Sequence, residues 1–194
     1  MLSQKDSLNE IRKNATALKA IDSLRPLIHT GDLILRTGND FTSESLRSLN
    51  QRDQRFSHCG IASIEHDSIV VYHAIGGDFN PDEKIRRDAL EIFGDPQTNK
   101  TIAVYHYLLP DTLLQSITTT ARLFYRMGIR FDMQFDLQSN DRMYCAEFVY
   151  KTLRLGSKGK LQFDISHIKD FRFVGVDDLF LQPLCRERKI IVYK

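Results

Sequence analysis

Apolar residues along this chain switch repeatedly between a helical and an extended period. Leu8, Ile11, Ala15 and Leu18 recur at helical intervals, Ser7 and Glu10 stand at the spacing of a capping box, and Pro26 stops the pattern. An amphipathic helical extension within residues 1–28 is predicted. Gly31-Asp32-Leu33-Ile34-Leu35-Arg36 then reads as a short buried strand, and Phe41 to Asn50 as a brief helix. Two β-branched runs, His58 to Ile64 and Ser68 to Ile75, flank Glu65-His66-Asp67 and predict a hairpin. The charged, glycine- and proline-bearing stretch 76–97 is a candidate lid, with an edge strand at Lys84 to Arg86 and a helical turn around Asp88 to Phe93. Thr101 to Leu109 reads as a strand. Pro110-Asp111 opens a helix whose Leu114, Ile117, Ala121 and Phe124 share a face until Gly128. A further helix carries Cys145, with Asp141 as its expected N-cap, Met143, Ala146, Tyr150 and Leu153 toward the core, and Gly156 as its C-terminal cap. Lys189 to Tyr193 reads as the last strand.

Interleaved elements of this kind imply an α+β domain with a mostly antiparallel sheet packed against helices. With 194 residues and 42% hydrophobic content, the chain fits one core and one domain over 1–194. Its 27 basic and 25 acidic residues leave a net charge of +2 without a basic run, which argues against nucleic acid as a partner. The first residues lack the basic start and apolar stretch of a signal peptide, and no later stretch is long enough to span a bilayer, so a soluble protein is expected. The compartment stays open: cytoplasmic as the chain stands, periplasmic or secreted if a leader precedes Met1. Oligomeric state is not legible. Cys59, Cys145 and Cys185 do not fall at zinc-site spacings and are read as free thiols.

Two segments carry the chemistry. Phe56-Ser57-His58-Cys59-Gly60-Ile61 reads as a strand opening on a histidine, and Tyr144-Cys145-Ala146-Glu147-Phe148-Val149 as a helix opening on a cysteine. A helix N-terminus and a nearby imidazole both lower a thiol pKa, and the free N-H groups there suit an oxyanion. Taken alone, Cys145 reads as a small apolar core residue, as most free cysteines do. His73, near the end of the paired strand, shifts the balance because it is placed to orient His58 through the far ring nitrogen. Cys59 should point to the opposite face from His58 and belong to the core. Asp132, Asp136 and Glu147 are read as structural, and His29, His66, His106 and His167 show no partner pattern.

Gly31-Asp32-Leu33, Ser57-His58-Cys59-Gly60-Ile61, Tyr72-His73-Ala74, Phe131-Asp132 with Phe135, and Tyr144-Cys145-Ala146-Glu147 together resemble the motif series of the circularly permuted branch of the NlpC-type papain-like hydrolases, the YiiX/YebB-like group. The histidine hairpin precedes the cysteine helix, which is the order of that branch. The resemblance runs from about Gly31 to Leu155 and implies Cys145 as nucleophile, His58 as base and His73 as the third polar residue, with Tyr144 and Asp32 near the substrate. Many relatives carry an acid in place of His73, or Ser in place of Ala146. It implies no metal and no cofactor.

The activity implied is that of a cysteine amidase or peptidase. Its substrate would be a small N-acyl amino acid, a peptidoglycan peptide or a lipid-like amide, cleaved through a Cys145 thioester. Three alternatives stand beside it: a thiol acyltransferase or lipid esterase on the same fold, a non-catalytic binding module, and a metal site built from Cys145, His58 and His73.

Overall fold

The computed structural model describes residues 15–77, 80 and 82–193. The capping box at Ser7 and Glu10 lies outside them. Helix α1 is described over residues 15–22 and leads through a 3-10 turn at Arg25–Leu27 to strand β1, Leu33–Gly38. Helix α2, Phe41–Arg47, is capped by the Asp40 carboxylate, which accepts from Ser43 N-H. Strands β2, His58–Glu65, and β3, Ser68–His73, form the expected hairpin. Its loop shortens to His66 and Asp67, both at positive φ, the conformation that matches the twist of two paired strands.

Residues 86–93 are built into the fold. Strand β4 is Arg86–Ala89, paired to β3, and the short helix α3, Leu90–Phe93, buries Leu90 and Phe93. Asp88 is thus a strand residue where a helical turn was expected, because its pairing to Val71 holds the chain extended. Strand β5 is Asn99–Tyr107. Helix α4, Asp111–Met127, buries Leu114, Ile117, Ala121 and Phe124, and ends where Gly128 adopts the left-handed conformation.

Helix α5 is Cys145–Gly156. Its N-cap is Tyr144, not Asp141, since Arg130 N-H to Asp141 O and Met143 N-H to Arg130 O hold residues 141–143 extended. Met143 is therefore buried ahead of the helix, while Ala146, Phe148, Val149 and Leu153 fill its core face. Tyr150 packs at the margin against Phe163. Gly156 is the last helical residue; a Cβ there would lie 2.4 Å from Ile117 Cα, so its work is close approach of α5 to α4. Strands β6, Ser166–Ile168, and β7, Phe171–Phe173, make a small ribbon, followed by α6, Val176–Phe180, and β8, Cys185–Val192.

The main sheet runs β4-β3-β2-β1-β5-β8, every pair antiparallel. Its two faces follow the pleat. Leu33, Leu35, Cys59 and Ile61 pack with α4 and α5, while Ile34, Ala62, Val71 and Val104 pack with Ile21, Leu24, Leu90 and Phe93. At Gly60 a Cβ would meet Val71 Cγ1 at 2.5 Å and Tyr72 O at 2.8 Å, so this glycine admits the neighbouring strand. Among the described residues no helix is long and apolar enough to cross a membrane.

Candidate functional site

His58 opens β2 opposite Arg36, and β3 returns His73 beside it. His58 Nε2 and His73 Nδ1 stand 2.9 Å apart, within hydrogen-bond reach. The β3–β4 register, with Arg86 opposite His73, adds a member that the sequence reading missed: Asp88 Oδ2 lies 3.0 Å from His73 Nε2. Arg86 donates to the other oxygen, Nη2 to Oδ1 at 2.8 Å.

Protonation along this chain follows from its anchored end. Burial works against the Asp88 carboxylate, but the hydrogen bonds from His73 and Arg86 win and hold its pKa down to about 2. An ionised carboxylate only accepts, so His73 carries its proton on Nε2. His73 Nδ1 then accepts from His58 Nε2-H, which leaves His58 Nδ1 as the free lone pair. Burial is also the first reason both imidazoles stay neutral. It takes His73 down to about 4 despite Asp88, and it takes His58 well below the ordinary imidazole range, helped by the Arg36 charge. The Phe93 ring, 5.6 Å from His58 and 5.0 Å from His73, supplies much of the apolar wall.

Cys145 is the first residue of α5, and its thiol sits below the ordinary range. The first cause is a hydrogen bond from the Cys59 thiol. The Ala146 N-H, the Arg36 charge and the Cys145 N-H add to it, and burial opposes all of them. Cys59 moves the other way, well up, because it is fully buried and keeps the shared proton. Cys59 is in the core as expected and is also the thiol donor behind Cys145. Among the described residues no hydrogen bond joins Cys145 to either histidine: His58 and His73 pack against Phe93 on one face of the sheet, Cys145 beside Cys59 on the other. The charge that favours a thiolate belongs to Arg36. This guanidinium lies 4.9 Å over Phe93 and donates to Phe93 O and Asn99 Oδ1, and among the described residues its buried Nε has no hydrogen-bond partner. Cys145 and His58 are both buried, at 7% and 8% exposure, and Cys59 is fully buried.

Two expected substrate residues are placed elsewhere. Asp32 lies four residues along β1 from Arg36, about 13 Å at strand rise. It is fully buried and bound to His29 N-H and His106 Nδ1, both at 2.7 Å. Tyr144 is buried with its ring 4.7 Å from Phe135, and its hydroxyl accepts from Val174 N-H at 2.7 Å. It is a packing residue. Glu147 is fully buried, accepts from Tyr144 N-H and pairs with Lys151 at 2.8 Å; burial, only partly offset by Lys151, pushes its carboxyl up to about 7. Asp132 folds the preceding loop by accepting from Gln134 N-H and Asp136 N-H.

The three cysteines are free and buried. Cys145, His58 and His73 do not converge as a metal triple, since Cys145 packs with Cys59 on one face of the sheet and both imidazoles against Phe93 on the other. The described residues that do converge are His29, Asp32 and His106, so two histidines read as partnerless share a carboxylate. Surface cavities of about 250 and 530 Å³ lie along the 132–142 loop and along β4 with the end of α4; the second touches Asp88, and neither is lined by Cys145 or His58.

No family model matches the chain, and no curated protein matches it. The crystal structure of metalloprotein YiiX from Escherichia coli O157:H7, DUF1105, is similar to it over 83% of this chain and 96% of its own, at 18% identity and a TM-score of 0.67. That likeness shows a YiiX-like α+β fold.

Proposed function

We propose that this protein is a cysteine hydrolase with a permuted papain-like, NlpC-type arrangement, in which Cys145 attacks an amide or ester carbonyl. The observation that carries the reading is a thiol of lowered pKa at the first position of α5 combined with the ordered chain Asp88, His73, His58.

His58 packs on the Phe93 face of the sheet and Cys145 beside Cys59 on the other, so this reading requires the mouth of β2 to rearrange on substrate binding and bring the Cys145 thiol and His58 Nδ1 together. The proton passes from Cys145 to His58 as sulfur bonds to the carbonyl carbon. The tetrahedral oxyanion is received by the Cys145 N-H. The imidazolium returns its proton to the leaving amine or alkoxide, which departs and leaves a thioester. Neutral His58 then takes a proton from water, hydroxide adds to the thioester, and the thiol leaves with that proton. His73 and Asp88 hold the His58 tautomer and offset its transient charge. The substrate class follows from the resemblance: a small N-acyl amino acid, a peptidoglycan peptide or a lipid-like amide.

The test is iodoacetamide labelling of the three cysteines across pH, resolved by mass spectrometry, followed by a screen of amides and esters. Selective labelling of Cys145 below pH 7, where an ordinary thiol of pKa about 8.5 reacts slowly, together with turnover lost in Cys145→Ala, is the expected result. Uniform slow labelling and no turnover would leave a binding module on a hydrolase fold.

A further inference from the structure

At the far end of β1 from the cysteine, His29, Asp32 and His106 each offer a ligand atom within 4.8 Å of the others. We propose that these three residues form a binding site for a divalent cation of the zinc class, separate from the Cys145 chemistry. The donor set is two imidazoles and one carboxylate, the usual protein contribution to a zinc site that keeps a position for water.

The carboxylate is the reason to expect a cation. Asp32 is fully buried, and among the described residues its side chain is hydrogen-bonded only by the His29 N-H and by His106; the Arg188 charge acts on it more weakly. Burying a carboxylate with only imidazole as counterpart is costly, and a divalent ion in place of the shared proton removes that cost. The elements also suit the task. His106 on β5 and Asp32 at the mouth of β1 are fixed by the sheet. His29 sits on the loop after the 3-10 turn with its side chain 54% exposed, its Nδ1 3.9 Å from Asp32 Oδ2, and its ring 5.9 Å from that of His106. Bonds of about 2.0–2.2 Å need donor atoms about 3.3 Å apart, so closure asks for roughly 1.5 Å of movement, which the exposed ring can supply. That exposure is also the entry path.

The measurement is titration of the untagged, chelator-dialysed full chain with cobalt(II), read by visible absorption, followed by displacement with zinc in a calorimeter. One equivalent of cobalt with d–d bands and no sulfur-to-metal charge-transfer band is expected. His29→Ala, an exposed change that spares the fold, and His106→Gln should each weaken zinc by about 10- to 100-fold or more, and His66→Ala should not change it. A charge-transfer band would put the metal on a cysteine and overturn the proposal, as would the absence of stoichiometric binding or full affinity in His29→Ala.

Discussion

Two carboxylate–imidazole assemblies occupy this sheet, built from the same residue types and arranged to opposite effect. In one, Asp88, His73 and His58 run as a line, His73 using one nitrogen toward each neighbour and His58 bonded through Nε2, with an aromatic wall and a neighbouring arginine keeping the imidazoles neutral. In the other, His29 and His106 converge on Asp32, and one ring opens to solvent. A line passes a proton or fixes a tautomer. A convergent set presents several donors to one point. Residue identity alone therefore does not tell a relay from a ligand set; whether the rings join end to end or meet at one carboxylate does.

The sharpest way to break this contrast is to remove one imidazole from each assembly. His58→Ala should lower turnover by about 10²- to 10⁴-fold, the usual worth of a general base, whereas His106→Ala should leave turnover within about twofold. Equal losses in both would mean that the two assemblies serve one reaction. Next comes the pH dependence of stability. His73 has a folded pKa of about 4, depressed from an unfolded value near 6.5, so its contribution is present above 6.5 and is lost as pH falls toward 4. That amounts to about 3 kcal/mol across the window. Urea unfolding at several pH values between 4 and 6.5 should show a flatter slope in His73→Gln than in the parent. An unchanged slope would mean that His73 is not held neutral by burial.

A smaller and more specific effect is expected at the anchor of the line. In Asp88→Asn the side-chain amide can donate to His73 Nε2, which moves the His73 proton to Nδ1 and turns the His58 Nε2 hydrogen bond around. His58 Nδ1 would then carry the proton and cease to be the base. Turnover should drop at least about tenfold, with KM little changed and thermal unfolding still cooperative. A KM effect without a kcat effect would place Asp88 in substrate binding, beside the cavity that it borders.

What the sequence made legible follows from distance along the chain. The β2–β3 hairpin, α4 between Pro110 and Gly128, and the pairing of His58 with His73 fifteen residues on depend on local periodicity and a short turn, and all were readable. The Tyr144 cap depends on Arg130 pulling residues 141–143 straight, a contact from another loop, and the acidic residue at 141 drew the reading upstream. Asp88 escaped because its strand is an edge of four residues without an apolar alternation, and only pairing to β3 keeps it extended. His106 and Asp32 are 74 residues apart and meet because β1 and β5 are neighbours, which no spacing rule contains. Arg36 is the one charge in β1, and its bearing on Cys145 depends on the sheet order.

The finest test turns on sign. Burial raises the Asp32 carboxyl above its ordinary value, so its contribution to stability is fully present below the unfolded pKa and is lost as pH rises through the folded one. At neutral pH this carboxylate is a burden on the metal-free protein, opposite to His73, which is a burden in acid. Asparagine does not titrate. Its Oδ1 can accept the His29 N-H and its Nδ2 can donate to His106, so both hydrogen bonds survive. Asp32→Asn should therefore match or exceed the parent in urea midpoint at pH 7 and fall behind it only toward pH 4, while losing zinc. If Asp32→Asn is instead destabilised at neutral pH without metal, Asp32 is stabilised by a charged His106 as a structural ion pair. The second assembly would then be closed like the first, and the difference between them would lie in burial and not in task.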